Sequence, residues 1–181
     1  KNIIPIIDVS GSMTTNKSLP LKNAVSIGIL IAELTQNTPM GGGFFTFSEK
    51  PTYHKLNGNT LLEKVRNICS SSWGMNTDFV ATFTLILDRM IQYNVSPEDA
   101  PQVLFCLSDM QFDKAGKWDQ TNYNTIRQVY DSHGYSMPKL WFWNLNGNTI
   151  DFPVTGNQDG TLLLSGFSAS LLKTVLNGEF P

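Results

Sequence analysis

The chain has 181 residues, enough for one domain whose core needs neither disulfide nor structural metal to hold it together. Apolar residues make up 41% and charged residues 15%, which argues against disorder, and a net charge of −2 with a pI near 5.6 leaves no electrostatic footprint for nucleic acid. No stretch approaches the ~20 consecutive apolar residues of a spanning helix, so no membrane partner is expected.

Lys1 opens directly on a strand pattern, with neither an initiator Met nor a secretory signal, so the expectation is a single domain over 1–181 excised from a longer chain. Ile3-Ile4-Pro5-Ile6-Ile7 reads as a buried strand that delivers Asp8-Val9-Ser10-Gly11-Ser12-Met13 at its carboxyl end. Ligands of open α/β sheets collect at that edge. Asp8, Ser10 and Ser12 place three oxygen side chains at alternate positions, with Gly11 easing the turn. Such hard oxygens suit Mg²⁺, which takes near-octahedral oxygen ligands and keeps some water.

Pro20 then fits the first turn of a helix, where its missing N–H costs nothing. The pattern over 21–34 is apolar on most sides, as in a buried helix. Asn37-Thr38-Pro39 and Gly41-Gly42-Gly43 end it, and Phe44-Phe45-Thr46-Phe47 reads as the next strand. After a turn at 48–51, residues 52–56 alternate like a half-exposed return strand, with Pro51 and Lys55 suited to a protected edge. Thr60-Leu61-Leu62-Glu63 is a capping box opening a helix to about Cys69.

A polar loop over 70–78 follows, containing Trp73, Asn76, Thr77 and Asp78. Phe79, Phe83, Ile86, Leu87 and Met90 recur at helical spacing. Ser96-Pro97-Glu98-Asp99 forms one capped turn, and a strand through Leu107 brings Ser108-Asp109-Met110 to its carboxyl end. A helix is expected over 123–133, closed by Gly134. Leu140-Trp141-Phe142-Trp143 is another buried strand ending at Asn144. Leu162-Leu163-Leu164 is a short one, and Ser168 would cap a last helix.

Strands alternating with helices, plus one early hairpin, predict a three-layer, doubly wound α/β fold. Its sheet would be six-stranded and mostly parallel with one antiparallel edge strand. Winding outward from the first strand puts a switch point beside Asp8. Three strand-end loops then carry oxygen ligands: Asp8, Ser10 and Ser12 from the first, Thr77 from the second, Asp109 from the third.

Asp8-Val9-Ser10-Gly11-Ser12-Met13 resembles the first motif of von Willebrand factor A (integrin I-like) domains. The resemblance implies a metal-ion-dependent adhesion site, with Asp8, Ser10 and Ser12 on its first motif, Thr77 on the second and Asp109 on the third. Trp73-Gly74-Met75-Asn76-Thr77-Asp78, Ser108-Asp109-Met110-Gln111-Phe112-Asp113, Phe142-Trp143-Asn144-Leu145 and Leu164-Ser165-Gly166-Phe167-Ser168 also resemble the carboxyl-terminal part of an uncharacterised family of plants, fungi and large DNA viruses. That likeness implies the same domain and no assigned activity. One departure is Met110, where Gly commonly follows the Asp of the third motif; its longer side chain would fill or shade the site. Gly11, Trp73, Asn76, Asp78, Asp113 and Asn144 stand as further rim or outer residues.

Each motif has a plainer reading: a solvated turn for the first, a helix N-cap for Thr77 or Asp78, a cap for Asp109. Their order along the chain favours a shared Mg²⁺ site, with Mn²⁺ or Ca²⁺ as alternatives. The expected role is protein binding, through capture of an Asp or Glu from a protein partner or from an upstream domain of the same chain. Two other roles stay open. One is a metal-dependent phosphoesterase or nuclease, disfavoured because position 10 is Ser and no Lys or Arg sits in the candidate loops to clamp a phosphoryl group. The other is a structural domain with a stabilising metal. Cys69 and Cys106 are expected to be buried free thiols, which favours an intracellular, cytoplasmic setting. His54 and His133 are read as surface residues rather than catalysts.

Overall fold

The computed structural model describes residues 2–47, 50–69, 78–109, 120–145, 161–165, 170, 173 and 177. Among these residues six strands form one sheet: β1 (Ile3–Asp8), β2 (Gly43–Phe47), β3 (Tyr53–Lys55), β4 (Val103–Ser108), β5 (Lys139–Asn144) and β6 (Thr161–Ser165). Their spatial order is β3-β2-β1-β4-β5-β6, with every pair parallel except β2 and β3. The expected doubly wound α/β sheet, antiparallel at one edge, is therefore observed. The chain leaves β1 for β2 on one side and reaches β4 on the other, so the switch point lies at the end of β1.

The unbroken apolar runs of β1, β4 and β5 have a simple cause: both faces of these strands are covered. Ile3 and Ile7 of β1, Val103, Phe105 and Leu107 of β4, and Trp141 and Trp143 of β5 face one core with α1 (Thr15–Leu34) and Ile68 of α2 (Leu61–Cys69). Ile4, Ile6, Leu104, Cys106, Leu140 and Phe142 face the opposite core. There they meet Phe79, Phe83, Ile86, Leu87 and Met90 of α3 (Phe79–Gln92) and Ile126 and Tyr130 of α4 (Gln120–Ser132). Each fully buried large apolar side chain contributes on the order of 1.5–3 kcal/mol. The edges of aromatic rings meet faces across this second core, as in Phe79 against Phe142 at 5.7 Å between centroids.

Local signals place the helices. Glu63 accepts from the backbone N–H of Asn59 and Thr60 while Thr60 Oγ1 accepts from Glu63 N, which is the expected capping box. Asp78 caps α3 by accepting from Ala81 N at 2.9 Å. Ser96 and Asp99 close the expected single turn. Gly134 takes φ +79 after α4, a left-handed position that Gly adopts at little cost.

Three expectations need correction. Helical structure does not start at Pro20: a 3₁₀ turn (Gly11–Thr14) runs straight into α1, with Pro20 inside it. Lys17 has φ +57, so the stretch ahead of Pro20 is irregular helix, and the regular pattern read from 21 onward is only its later part. Nor is α1 buried all round, because Leu30 and Leu34 are exposed. Finally, α4 begins at Gln120, three residues before the expected start. Within the stretch expected to form a last helix, Ser170, Lys173 and Asn177 are described and helical, while Ser168 lies outside the described residues. No helix among the described residues is long and apolar enough to cross a membrane.

Candidate metal centre

The parallel pairing of β1 with β4 brings two strand ends together, and with them Asp8 and Asp109. Asp8 is the last residue of β1 and is fully buried; Asp109 follows β4 directly and is 1% exposed. Ser10 N donates to Asp8 Oδ1 at 2.9 Å, which folds the loop back over the carboxylate as an Asx-type turn. Ser108 Oγ donates to Asp8 Oδ2, joining the two strand ends on the far side. The 3₁₀ turn at Gly11–Thr14 then points Ser12 across the gap. Its hydroxyl lies 3.1 Å from Ser10 Oγ and donates to Asp109 Oδ1 at 3.1 Å.

The electrostatics follow from burial. Burial holds the Asp8 carboxyl above the usual carboxylate range, against the lowering effect of its hydrogen bonds from Ser108 and Ser10, and the Asp109 charge adds to the rise. Cys106, two residues upstream of Ser108 in β4, is a free, fully buried thiol. Burial pushes it well above its usual value, with the Asp8 charge adding to the effect.

The donor set fits a hard dication. Octahedral Mg²⁺ with oxygens at about 2.0–2.1 Å sets neighbouring ligands about 3 Å apart. The Ser10–Ser12 and Ser12–Asp109 oxygen pairs are each separated by 3.1 Å. The same spacings serve as hydrogen bonds or as adjacent edges of a coordination shell. Two neighbouring carboxylates, one fully buried, supply charge for a dication to balance.

The other expected residues divide into two groups. Asn144 ends β5 in register with Ser108 and Ser165 and is 1% exposed, so it lies on the same sheet edge, one strand beyond β4. Gly11 is exposed and its carbonyl accepts from Thr14 Oγ1 at 2.7 Å. Asp78 stands at the N-cap of α3. Trp73, Asn76, Thr77, Met110 and Asp113 lie outside the described residues. Two contributors were not foreseen. Ser108 orients Asp8, and Met13, fully buried, accepts through its sulfur from Asp109 N at 3.2 Å. Their signal in the sequence is position only: each directly adjoins an expected ligand.

The doubly wound sheet, with its switch point at the end of β1 and hydroxyl and carboxylate loops at its carboxyl edge, has the fold of von Willebrand factor A-type domains. Within that class the chain belongs to the family described as "Domain of unknown function (DUF7788)", whose model matches residues 2–180. It is similar to "Uncharacterized protein L728" of Acanthamoeba polyphaga mimivirus, 36% identical over 180 residues, a match covering 98% of this chain and 31% of that protein. The chain thus spans about a third of the length of that relative. Among solved structures it is similar to the Deinococcus radiodurans RO (RSR) protein, with a TM-score of 0.61 at 18% identity, covering 99% of this chain and 34% of that one. The SpRpn10 VWA domain matches with a TM-score of 0.52 at 13% identity, covering 99% of this chain and 94% of that one. At these identities the structural likeness is one of fold.

Proposed function

We propose that this domain is a metal-dependent protein-binding module. Asp8, Ser10, Ser12, Thr77 and Asp109 would hold a Mg²⁺-type ion, directly or through water. The ion would offer a Lewis-acidic position to an Asp or Glu of a partner protein or of another part of a longer chain. Around it, Ser108 bonds Asp8, Met13 bonds the Asp109 backbone and Ser12 bonds the Asp109 carboxylate, so these two carboxylates are oriented by the protein itself. The observation that supports this reading best is the chain of oxygens Ser10–Ser12–Asp109, each step 3.1 Å, across two strand ends. Two carboxylates would balance the dication, and a carboxylate guest would enter by replacing a water on the ion's remaining position.

The test is direct. Mn²⁺ binding, followed by the loss of the free-ion electron paramagnetic resonance signal, is expected for the native domain and not for Asp8→Ala or Asp109→Ala. Added glutamate side-chain analogues should then perturb the bound-ion spectrum. A folded native domain that leaves the Mn²⁺ signal unchanged at millimolar protein would refute the reading.

A further inference from the structure

At the opposite end of the sheet order from β6, β3 is the edge strand. Thr46 N bonds Thr52 O, Leu56 N bonds Gly42 O, and His54 stands opposite Phe44. This register turns the backbone N–H and C=O of His54 toward β2 and those of Tyr53 and Lys55 away from it. Among the described residues nothing pairs with these outward groups, and β3 is the last strand on its side. An unpaired edge of this kind is a template for one more strand.

A second, independent feature lies beside it. Arg89 of α3 lays its guanidinium over Tyr53, 3.8 Å from the ring centroid, and 5.1 Å from the ring of Tyr93. Tyr53 is itself anchored, its hydroxyl donating to Gly41 O at 3.2 Å. Yet Arg89 Nε is buried with no hydrogen-bond partner, and the ion pair found among the described residues joins Lys64 to Glu33 instead. A guanidinium laid on aromatic rings, with its Nε unpartnered among the described residues, is poised for an incoming carboxylate. Lys55, exposed and two residues on from Tyr53, shares its face of the strand.

We propose that the β3 edge binds an extended acidic segment of a partner protein by strand addition. Its backbone pairs with Tyr53 and Lys55, and acidic side chains at alternate positions reach Arg89 and Lys55. Alternation is required because residues two apart on the added strand share a face, and strand addition reads backbone for affinity and alternate side chains for selectivity. Tyr and Arg together are also the residue types that dominate interface energetics. A second copy of this chain is the disfavoured occupant, because edge-to-edge pairing would bring Lys55 and Arg89 against their own like charges.

The test uses the whole chain in EDTA, so that an ion at the Asp8 site plays no part. A hexapeptide alternating Val and Glu, one alternating Val and Lys, and a Val-Glu peptide with Pro at alternate positions are titrated by amide chemical-shift mapping and fluorescence anisotropy. The Val-Glu peptide should shift the Tyr53 and Lys55 amides and slow their hydrogen exchange. Arg89→Gln and Lys55→Glu should each weaken it about tenfold, the scale of one charge-assisted contact. Lys55→Glu should also turn the preference toward the Val-Lys peptide, and because Lys55 is exposed this variant keeps the fold. Asp109→Ala should bind the Val-Glu peptide as the native chain does, which keeps failure here distinct from failure of the metal reading. No binding of the Val-Glu peptide at millimolar concentration would overturn the proposal. So would equal binding of the Pro-containing peptide, or affinity unchanged in both charge variants.

Discussion

Ser12 Oγ donates to Asp109 Oδ1 across 97 positions of sequence, so one side-chain contact ties the first strand-end loop to the third. Its partners sit just beyond the ends of adjacent parallel strands, and a bound ion would draw on both. Ion binding must therefore be felt as stability of the whole sheet. Thermal melts in Mg²⁺ should rise relative to EDTA. At a hundredfold excess over Kd the gain is about 2.7 kcal/mol, or roughly 5–10 °C for a chain of this size. Asp109→Ala should melt at the same temperature with and without Mg²⁺.

Asp8→Asn should behave in the opposite sense when no ion is present. The folded-state pKa of Asp8 lies above its unfolded value of 3.8 because of burial. Between those two values the folded chain binds more protons than the unfolded chain, so stability falls as pH rises through that window and the loss persists above it. Asn keeps the acceptor for Ser10 N and removes the buried charge. In EDTA at pH 7.5 the variant should melt above the native chain, and in Mg²⁺ that order should reverse. A lower melting temperature for Asp8→Asn in EDTA would count against a destabilising buried charge.

Tyr130 gives a test of the core that is independent of the site. Fully buried on α4, it donates to the Phe83 carbonyl of α3 at 2.7 Å, and its ring meets Phe83 edge-on at 6.2 Å between centroids. Tyr130→Phe keeps the ring and deletes the hydrogen bond, so urea unfolding should show a loss of ~1 kcal/mol with the m-value unchanged. Mg²⁺ should raise the melting temperature of this variant as much as that of the native chain.

The edge strand contributes a pH dependence of its own. His54 stacks on Phe44 at 5.2 Å and its Nε2 lies 2.7 Å from Thr52 Oγ1. Half-burial lowers its pKa below the usual 6.5. The unfolded chain then binds the extra proton first, so this contribution is fully present above pH 6.5 and declines as pH falls toward the folded value. Melting temperatures between pH 7.5 and 5.5 should fall less steeply for His54→Gln than for the native chain. Parallel curves would show that His54 does not titrate across folding.

The sheet was legible because its physics is local. A strand buried on both faces must read as an unbroken apolar run, and β1, β4 and β5 do. Their ends can then be read directly, which is how Asp8 and Asp109 stand out. The bonds of Ser108 to Asp8 and of Met13 to Asp109 were not legible, because they depend on which strands become neighbours. Pro20 misled for a related reason: its fixed φ marks a helix start only where regular helix begins, and here an irregular turn through Lys17 precedes it. The stacking of Arg89 on Tyr53 needed the crossing of α3 over the hairpin, which no pattern in either segment encodes.

Cys106 sits at the centre of the sheet, in register with Ile6 on one side and Phe142 on the other, and its thiol is held protonated. In the folded chain it should be inert to alkylating reagents, since the thiolate is the reactive species. Labelling there times unfolding that uncovers the face of the sheet packed against α3 and α4, with peptide mapping to separate it from Cys69. A ligand seated across the ends of β1 and β4 would slow this clock where that unfolding also breaks the site. Where opening is fast relative to labelling, the slowing factor equals one plus the ratio of ligand concentration to Kd. One buried sulfur atom thus turns occupancy of the site into a rate that mass spectrometry can follow without a known partner.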